Sequence, residues 1–228
     1  MKNSLYSIYS DSQNVSFLYK DSCYTKSDID KKISLLEKNF CNLLKDIENK
    51  RVYIDIKDRF SFLILFFTMK KLNLVTVLVP IEIQPQIFFE PGIIYISDNK
   101  HCPDGIFLNE DFSLIPGENF CPDKVKSFEN TYDLYFFTSG STGKSKNIGK
   151  WNSNILTELA ELHRLFSLKS EDVFFCIPPI YHIYGFLFTM LPIFASAVID
   201  LNSFFTPESI ADYVAKSNID YLVSVPSY

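Results

Sequence analysis

The spacing of apolar residues predicts a chain in which helices and strands alternate. In residues 26–47 apolar side chains recur at steps typical of an amphipathic helix, with Ser27 as the expected N-cap. Residues 51–56 alternate like a half-buried strand, and residues 74–79 form the continuous apolar run of a buried parallel strand. Residues 58–71, between these strands, have the length of a helix. The order strand, helix, strand predicts a βαβ unit.

The rest of the chain continues this alternation around one irregular stretch. Residues 98–130 lack a period and are rich in Pro, Gly, Asn and Asp, so they are predicted to be mainly loop. Strands are predicted over 93–97, 134–137, 173–177, 197–201 and 220–225, and helices over 152–166, 182–194 and 206–216. The pattern therefore predicts an α/β fold of layered, mainly parallel sheets with flanking helices.

Two of these helices have a predicted inward side. In the helix over 58–71 that side is Phe62, Leu65, Phe66 and Met69. In the helix over 152–166, for which Asn152 is the expected cap, it is Leu156, Leu159, Leu162 and Leu165.

One uncharged segment has the length of a membrane span. Residues 173–199 contain no Asp, Glu, Lys or Arg. However, Pro178, Pro179 and Pro192 interrupt the segment, and prolines inside a span need compensating partners. The segment also divides into a strand, a turn, a helix and a strand. It is predicted to be buried within protein, so no membrane span is expected.

Composition narrows the class of protein. The net charge is −5, with 22 basic and 27 acidic residues, whereas nucleic-acid binders normally have a basic excess, so no nucleic-acid partner is expected. The N-terminus has no apolar segment of the kind found in signal peptides. Scattered cysteines without a CxxC pair argue against disulfides and a zinc site, and predict reduced, mostly buried thiols in a cytoplasmic protein. These cysteines are Cys23, Cys41, Cys102, Cys121 and Cys176.

A cluster of glycine, hydroxyl and lysine residues is the clearest candidate for chemistry. Residues 135–146 read YFFTSGSTGKSK, in a chain that has only 7 glycines. Glycines allow close approach of backbone N–H groups to an anion, hydroxyls donate hydrogen bonds, and lysine supplies positive charge. The cluster therefore predicts a polyphosphate-binding loop. The alternative is a surface hairpin without a ligand.

The P-loop of NTPases is one possible identity for this cluster. Its pattern is G-x-x-x-x-G-K-[ST] between a strand and a helix. Gly143, Lys144 and Ser145 match the second half, but Thr138 stands at the position of the first glycine. No helix is predicted directly after the cluster. The P-loop therefore remains the poorer-fitting alternative.

Residues 138–146 resemble the signature TSG[ST]TGxPKG of the adenylate-forming superfamily, which includes acyl- and aryl-CoA synthetases, luciferases and adenylation domains of peptide synthetases. The sequence departs from the signature at Ser145, where proline is usual, and at Asn147, where glycine is usual. The resemblance implies that the loop closes over the β- and γ-phosphates of ATP, with Mg as the metal. The implied phosphate-binding residues are Thr138, Ser139, Gly140, Ser141, Thr142, Gly143 and Lys146.

A second segment resembles the same family. Residues 178–186, PPIYHIYGF, are similar to its P-x-x-H-x-[YF]-G segment. This resemblance implies that His182, Tyr181 and Gly185 lie beside the carboxylate substrate and the path of the acceptor thiol. Without it, a single histidine in an apolar segment is more typical of a protein core. Fainter similarity extends to residues 17–45 and 221–227.

The resemblance implies a fold and a reaction. The fold would be the N-terminal part of an adenylate-forming enzyme. The reaction would join a carboxylic acid to ATP as an acyl-adenylate and then form a thioester with coenzyme A or a carrier-protein pantetheine. The alternative on the same fold is a catalytically inactive remnant or scaffold.

The resemblance also sets an expected domain organisation. Residues 1–228 would be the N-terminal portion of an AMP-dependent ligase domain, with a first subdomain region over 1–130. The phosphate loop and the start of a second subdomain would occupy 131–228. The family's adenine and ribose segments and its C-terminal domain are expected beyond Tyr228. No catalytic residue is therefore assigned, no metal ligand is assigned, and the chain alone is expected to be inactive.

Overall fold

The computed structural model describes residues 4–44, 50–80, 92–138, 146–203 and 206–225. The chain divides into two compact units. The loop unit is Asp30–Asn152, and the histidine unit combines Met1–Ile29 with Ser153–Tyr228. Residues 134–138 and 146–150, on either side of the predicted phosphate loop, pair within the sheet of the loop unit.

Every helix and strand predicted from the pattern is found in the described residues, together with one further short α-helix and five further short strands. The helices are α1 (Tyr6–Ser10), α2 (Lys26–Leu43), α3 (Arg59–Lys71), α4 (Asn152–Phe166), α5 (Ile183–Phe194) and α6 (Pro207–Lys216). The strands are β1 (Ser16–Tyr19), β2 (Ser22–Thr25), β3 (Arg51–Asp55), β4 (Val75–Leu78), β5 (Ile94–Ser97), β6 (Ile106–Leu108), β7 (Leu114–Pro116), β8 (Leu134–Thr138), β9 (Lys146–Lys150), β10 (Val173–Cys176), β11 (Val198–Asp200) and β12 (Tyr221–Val223).

The loop unit is built on a mostly parallel sheet in the order β7-β6-β5-β3-β4-β8-β9. Strands β6, β5, β3, β4 and β8 are mutually parallel, while β7 and β9 run antiparallel to their neighbours. Helix α3 joins β3 to β4 and packs against both strands. The predicted βαβ order is confirmed. Because parallel strands share a direction, the carboxyl ends of β5, β3, β4 and β8 lie along one edge of the sheet.

Helix α3 is enclosed by the protein. The Asp58 carboxylate accepts a hydrogen bond of 2.8 Å from the Ser61 N–H and so caps the helix. Every residue from Arg59 to Lys70 except Ser61 is buried. The prediction of a single inward side was too narrow, because the helix packs on the sheet and also has protein around its other faces.

Residues 98–130 are mainly loop, as predicted, and they also contain the short antiparallel pair β6 and β7. The predicted cap of helix α2 needs correction. Helix α2 begins at Lys26, before the expected cap Ser27. Thr25 is the cap instead, because its Oγ1 accepts a hydrogen bond from the Asp28 N–H while the Asp28 carboxylate accepts one from the Thr25 N–H.

The histidine unit has its own sheet, in the order β12-β10-β11-β1-β2. Strands β12, β10, β11 and β1 are parallel, and β2 forms an antiparallel hairpin with β1. Helix α5 packs against β10 and β11. The apolar segment 173–199 thus forms β10, α5 and the start of β11, as predicted. Among the described residues, no helix is long and apolar enough to cross a membrane.

The predicted inward side of α4 is only partly correct. Leu159 is buried, Leu156 and Leu162 are half-buried, and Leu165 is 74% exposed. Ile155 is the other buried residue of this helix. A leucine at every third position drifts around a helix of 3.6 residues per turn, so its last member turns toward solvent. The expected cap Asn152 is instead the first helical residue.

The cysteines are distributed differently from the prediction of mostly buried thiols. Cys102 and Cys176 are buried, Cys121 is half-buried, and Cys23 and Cys41 are exposed. Cys23 lies in β2, the edge strand of its sheet, and Cys41 lies on the outer face of α2. Their positions at an edge and on an outer face explain the exposure.

Candidate functional site

The ends of the predicted phosphate loop are held together by a β-hairpin. Strand β9 pairs with β8, and Thr138 at the end of β8 is opposite Lys146 at the start of β9. The predicted site residues between them, Ser139, Gly140, Ser141, Thr142 and Gly143, lie outside the described residues. The structure therefore brings the two flanking positions of the predicted site side by side.

The two strands of this hairpin differ in burial. In β8, Leu134, Phe136 and Phe137 are buried, since the strand lies between β4 and β9. In β9, Lys146 is exposed, as are the two residues after it. A lysine is thus presented to solvent next to the carboxyl end of a buried parallel strand. In open α/β sheets, that is the end at which ligands bind.

An aromatic cluster supports the outer strand of the hairpin. The backbone at Gly149 passes so close to the Tyr132 ring that a Cβ there would lie 2.1 Å from it. The Tyr132 ring centroid is 5.4 Å from that of Trp151, whose indole N–H donates to the Thr131 carbonyl at 2.7 Å. Glycine is therefore required at position 149 by close packing.

The element that follows the glycine-rich cluster bears on the P-loop alternative. A P-loop leads directly into a helix, whose N-terminus binds the phosphates. Here strand β9 follows instead, and α4 begins only at Asn152. The hairpin geometry therefore argues against a P-loop.

His182 lies at the N-terminus of α5. It occupies the N-cap position with extended backbone angles (φ −93°, ψ 144°), and its side chain makes no capping hydrogen bond. The side chain is exposed, and its ring centroid is 4.7 Å from that of Tyr181, which is buried. His182 is therefore not the core histidine that a single histidine in an apolar segment would suggest.

Gly185 allows the first turn of α5 to approach the preceding loop. A Cβ at this position would lie 2.1 Å from the Pro179 carbonyl oxygen and 2.7 Å from that of Pro178. The His182 N–H donates to the Pro179 carbonyl at 3.2 Å, and the Phe186 N–H donates to the His182 carbonyl at 2.8 Å. The two prolines and Gly185 thus fix the backbone that carries His182.

The strand order gives an independent reason to regard this loop as a binding site. From β10 the chain continues through α5 to β11 on one side of β10, whereas β12 lies on the other side. Ligands of open α/β sheets bind outside the carboxyl ends of strands where the strand order reverses. The segment 177–182 leaves the carboxyl end of β10 at this point. Sequence periodicity does not reveal strand order and could not supply this observation.

A polar cluster in the loop unit is a feature that the sequence did not single out. The Tyr95 hydroxyl donates to Asp55 Oδ2 at 2.5 Å, and the Ser97 hydroxyl donates to the same oxygen at 3.3 Å. Burial raises the pKa of Asp55, and these hydrogen bonds partly oppose the shift. The cluster lies at the carboxyl ends of β3 and β5. Its only sequence signal is an acidic residue at the end of an alternating strand.

The part of the chain that the structure describes contains no group of three or more His, Cys, Asp or Glu side chains that could hold a metal ion.

Solved structures of other proteins share the fold of this chain. Apo MatB from Rhodopseudomonas palustris has a TM-score of 0.77 at 16% identity, with 100% of this chain and 50% of MatB covered. O-succinylbenzoate coenzyme A synthetase (MenE) from Bacillus subtilis, in complex with ATP and magnesium ion, has a TM-score of 0.72 at 12% identity, with 95% and 61% covered. The N-terminal subdomain of NpsA from Klebsiella oxytoca has a TM-score of 0.71 at 16% identity, with 96% of this chain and 60% of NpsA covered.

These comparisons confirm the predicted fold class, a mixed α/β arrangement of two mostly parallel sheets with flanking helices. At such low identity the likeness shows the fold alone. The chain spans about half the length of MatB. A comparison with the sequences of curated proteins gives no significant match.

The sequence profile of one family matches most of the chain. It is described as AMP-binding enzyme, and the match covers residues 91–228. This range includes both the hairpin that flanks the phosphate loop and the His182 segment. The chain belongs to the AMP-binding enzyme family, as the resemblance of its two motifs to adenylate-forming enzymes predicted.

Proposed function

We propose that this chain contributes the phosphate-binding loop and part of the acyl site to an enzyme that activates a carboxylic acid with ATP. The product would be an acyl-adenylate, with release of pyrophosphate. The observation that carries the proposal is the hairpin in which Lys146 is exposed opposite Thr138, at the end of the glycine- and hydroxyl-rich segment. This arrangement suits an anion that carries several negative charges.

Each residue type in the loop has a role in this proposal. Lys146 would pair with the β- and γ-phosphates of ATP, while Thr138, Ser139, Ser141 and Thr142 donate hydrogen bonds to phosphate oxygens. Glycines would let backbone N–H groups approach the same oxygens. These donors favour the step because they stabilise negative charge on the departing pyrophosphate. Magnesium, bound mainly through the ATP phosphates, would supply further neutralisation of that charge.

The His182 segment would take part in binding the acid. Its exposed imidazole lies at the N-terminus of α5, and the first turn of a helix has N–H groups without intrahelical acceptors. Such a position favours a carboxylate. Tyr181 and Gly185 would shape the same binding site. Tyr181 would do so by packing on the imidazole, and Gly185 by letting the first turn of α5 lie close to the preceding loop.

A second half-reaction is part of the proposal. The acyl group would pass from the adenylate to a thiol, either coenzyme A or the pantetheine of a carrier protein, with release of AMP. In support, the neighbour MenE is named a coenzyme A synthetase and was determined with ATP and magnesium ion. We propose a cytoplasmic location, where both ATP and coenzyme A are available.

Binding of ATP at the hairpin tests this function directly. Titration of pyrophosphate and of Mg-ATP should shift the same backbone amide signals of Lys146–Lys150 in NMR spectra, and each ligand should displace the other. Sulfate at matched ionic strength is the control and should not reproduce the shifts. If neither phosphate ligand moves these signals, or sulfate moves them equally, the proposal fails and a scaffold role on the same fold is favoured.

Activity is tested separately, on the protein as the cell produces it. Release of pyrophosphate from ATP should depend on addition of a carboxylic acid, measured over a panel of acids. Acid-dependent release supports the reaction proposed here. If no acid of a broad panel caused release of pyrophosphate, in a protein that still binds pyrophosphate, the proposed reaction would be contradicted. The proposed phosphate-binding loop would not be.

A further inference from the structure

One residue at the base of the phosphate-loop hairpin is tied to several neighbouring elements. Asp133 precedes β8, and its carbonyl accepts hydrogen bonds from Lys70 Nζ at 2.7 Å and from the Thr76 N–H at 3.3 Å. Its carboxylate accepts one from the Asn152 N–H at 2.8 Å, and its own N–H donates to the Lys150 carbonyl at 3.1 Å. Helix α3, strands β4 and β9, and the start of α4 therefore meet at Asp133.

Lys70 joins this junction through its ammonium group. It is 3% exposed and lies in the last turn of α3. Its ammonium group also donates to the Leu74 carbonyl at 3.1 Å, just before β4 begins. One buried ammonium group thus joins the residues that precede two adjacent parallel strands, β4 and β8.

The hairpin extends beyond the strand that supports it. Strand β4 pairs with β8 from Leu134 to Phe136, whereas β9 pairs with β8 as far as Thr138. The last two residue pairs, which include Lys146, therefore form a two-stranded ribbon. Such a ribbon is only marginally stable by itself, so its direction depends on how its base is held. At about 3.3 Å per residue, the Thr138–Lys146 pair lies on the order of 16 Å from Asp133 along the strand.

We propose that Lys70 is a positioning residue for the phosphate site, acting through Asp133 to fix the base of the hairpin that carries Lys146. The proposal rests on the phosphate-binding function proposed above. Lys70 itself does not contact the phosphates in this account. Its role is to hold the N-terminal ends of β4 and β8 together, so that the β8–β9 ribbon points in one direction.

The cost of burying Lys70 supports a role of this kind. Burial lowers the pKa of Lys70 to about 7, which shows that the environment disfavours the charged form. Replacement of buried charges by apolar residues of similar size is often neutral or stabilising, and in some proteins such charges are kept because they specify one arrangement. A buried lysine that joins the N-terminal ends of two strands would specify one arrangement of those strands in this way.

The test compares Lys70→Met with Lys71→Met, a matched control at the next residue. Methionine keeps the length of the side chain and removes the donor. Lys71 is about one-third exposed and pairs with Glu37 at 2.6 Å, away from the junction. In Lys70→Met, hydrogen exchange at the amides of Lys146–Lys150 should be roughly three- to ten-fold faster than in the control, the effect of losing the hydrogen bond to the Asp133 carbonyl. Exchange in β3 should not change.

Pyrophosphate affinity provides the functional readout. It should fall roughly three- to ten-fold in Lys70→Met, and it should stay within about two-fold of the wild type in the control. Should Lys70→Met fail to fold, Lys70→Gln keeps a neutral donor and is evaluated in the same way, with a smaller increase of exchange confined to β9. Unchanged exchange in β9, or an equal increase in β3 and β9, would overturn the positioning role.

The two readouts separate this inference from the proposed function. Faster exchange confined to β9, in a protein whose wild type does not bind pyrophosphate, would support the junction and contradict the phosphate site. Normal pyrophosphate binding by Lys70→Met, with unchanged exchange, would support the phosphate site and contradict the junction.

Discussion

The free energy of unfolding is expected to rise as the pH increases from about 7 to 10.5, with Lys70 as the cause. Burial lowers the pKa of this lysine from 10.5 in the unfolded chain to about 7, and the negative charge of Asp133 only partly opposes the shift. Below pH 7 both states hold the proton, so the full cost of burying the charge is present. Between the two pKa values the unfolded chain binds more protons, so a higher pH favours the folded state. The full gain is on the order of 5 kcal/mol.

Urea unfolding of the wild type and Lys70→Met at pH 7, 8, 9 and 10 isolates this effect. Burial raises the pKa of Cys102 to about 11 and also raises that of Tyr95, and these shifts lower stability as the pH rises. Both groups are present in both proteins, so their contributions cancel in the comparison. The free energy of unfolding of the wild type, relative to that of Lys70→Met, should increase as the pH rises. A difference that does not depend on pH would contradict the burial of a titrating lysine.

Gly185→Ala is expected to destabilise the histidine unit by about 3 kcal/mol or more. The added methyl group would lie 2.1 Å from the Pro179 carbonyl oxygen and 2.7 Å from that of Pro178. Both obstacles are backbone atoms, which cannot rotate away as the end of a flexible side chain can. The first turn of α5 would have to move, and His182 would move with it. Chemical unfolding followed by circular dichroism measures the loss.

Tyr184→Ala is the matched control for that experiment. Tyr184 lies in the same helical turn and is 42% exposed, and its ring contacts Phe188 at a centroid distance of 4.7 Å. Its loss should cost about 1 kcal/mol or less. Wild-type stability in Gly185→Ala, or an equal loss in both variants, would show that the close approach at Gly185 is not a constraint.

The elements that could be predicted from the sequence are those with a long, regular pattern. Helix α6 is an example, because Thr206 accepts a hydrogen bond from the Ser209 N–H and Pro207 occupies the first helical position, as expected. Strands β3 and β4 were predicted to within two residues at each end, because an alternating or continuous apolar run marks them.

The elements that the sequence did not reveal are short, polar or dependent on distant partners. Strand β9 reads KNIGK and is mostly exposed, so its strand conformation comes from pairing with β8. Strands β6 and β7 have three residues each, too few for a period to be recognised. Strand β1 pairs with β11, whose residues are distant in the sequence, and no local pattern encodes such pairing.

The candidate site could be proposed from the sequence where residue types specify chemistry. The glycine, hydroxyl and lysine cluster and the His182 segment were both identified from the sequence. The exposure of His182 and its place at the reversal of strand order needed the structure, because both depend on how β10, β11 and β12 are arranged. The Lys70 junction was also hidden, since a lysine at the end of a helix is ordinarily solvated.

Calorimetric titration of pyrophosphate into the wild type, Lys146→Ala and Lys144→Ala tests the central claim most directly. The family signature assigns phosphate contact to Lys146 and leaves position 144 variable. We expect a dissociation constant of roughly millimolar for the wild type, and binding at least about ten-fold weaker in Lys146→Ala because a charge-assisted hydrogen bond is lost. Lys144→Ala should bind within about two-fold of the wild type, and both variants should fold normally. If Lys144→Ala weakened pyrophosphate binding and Lys146→Ala did not, the loop would be acting as a P-loop, and the account would be contradicted.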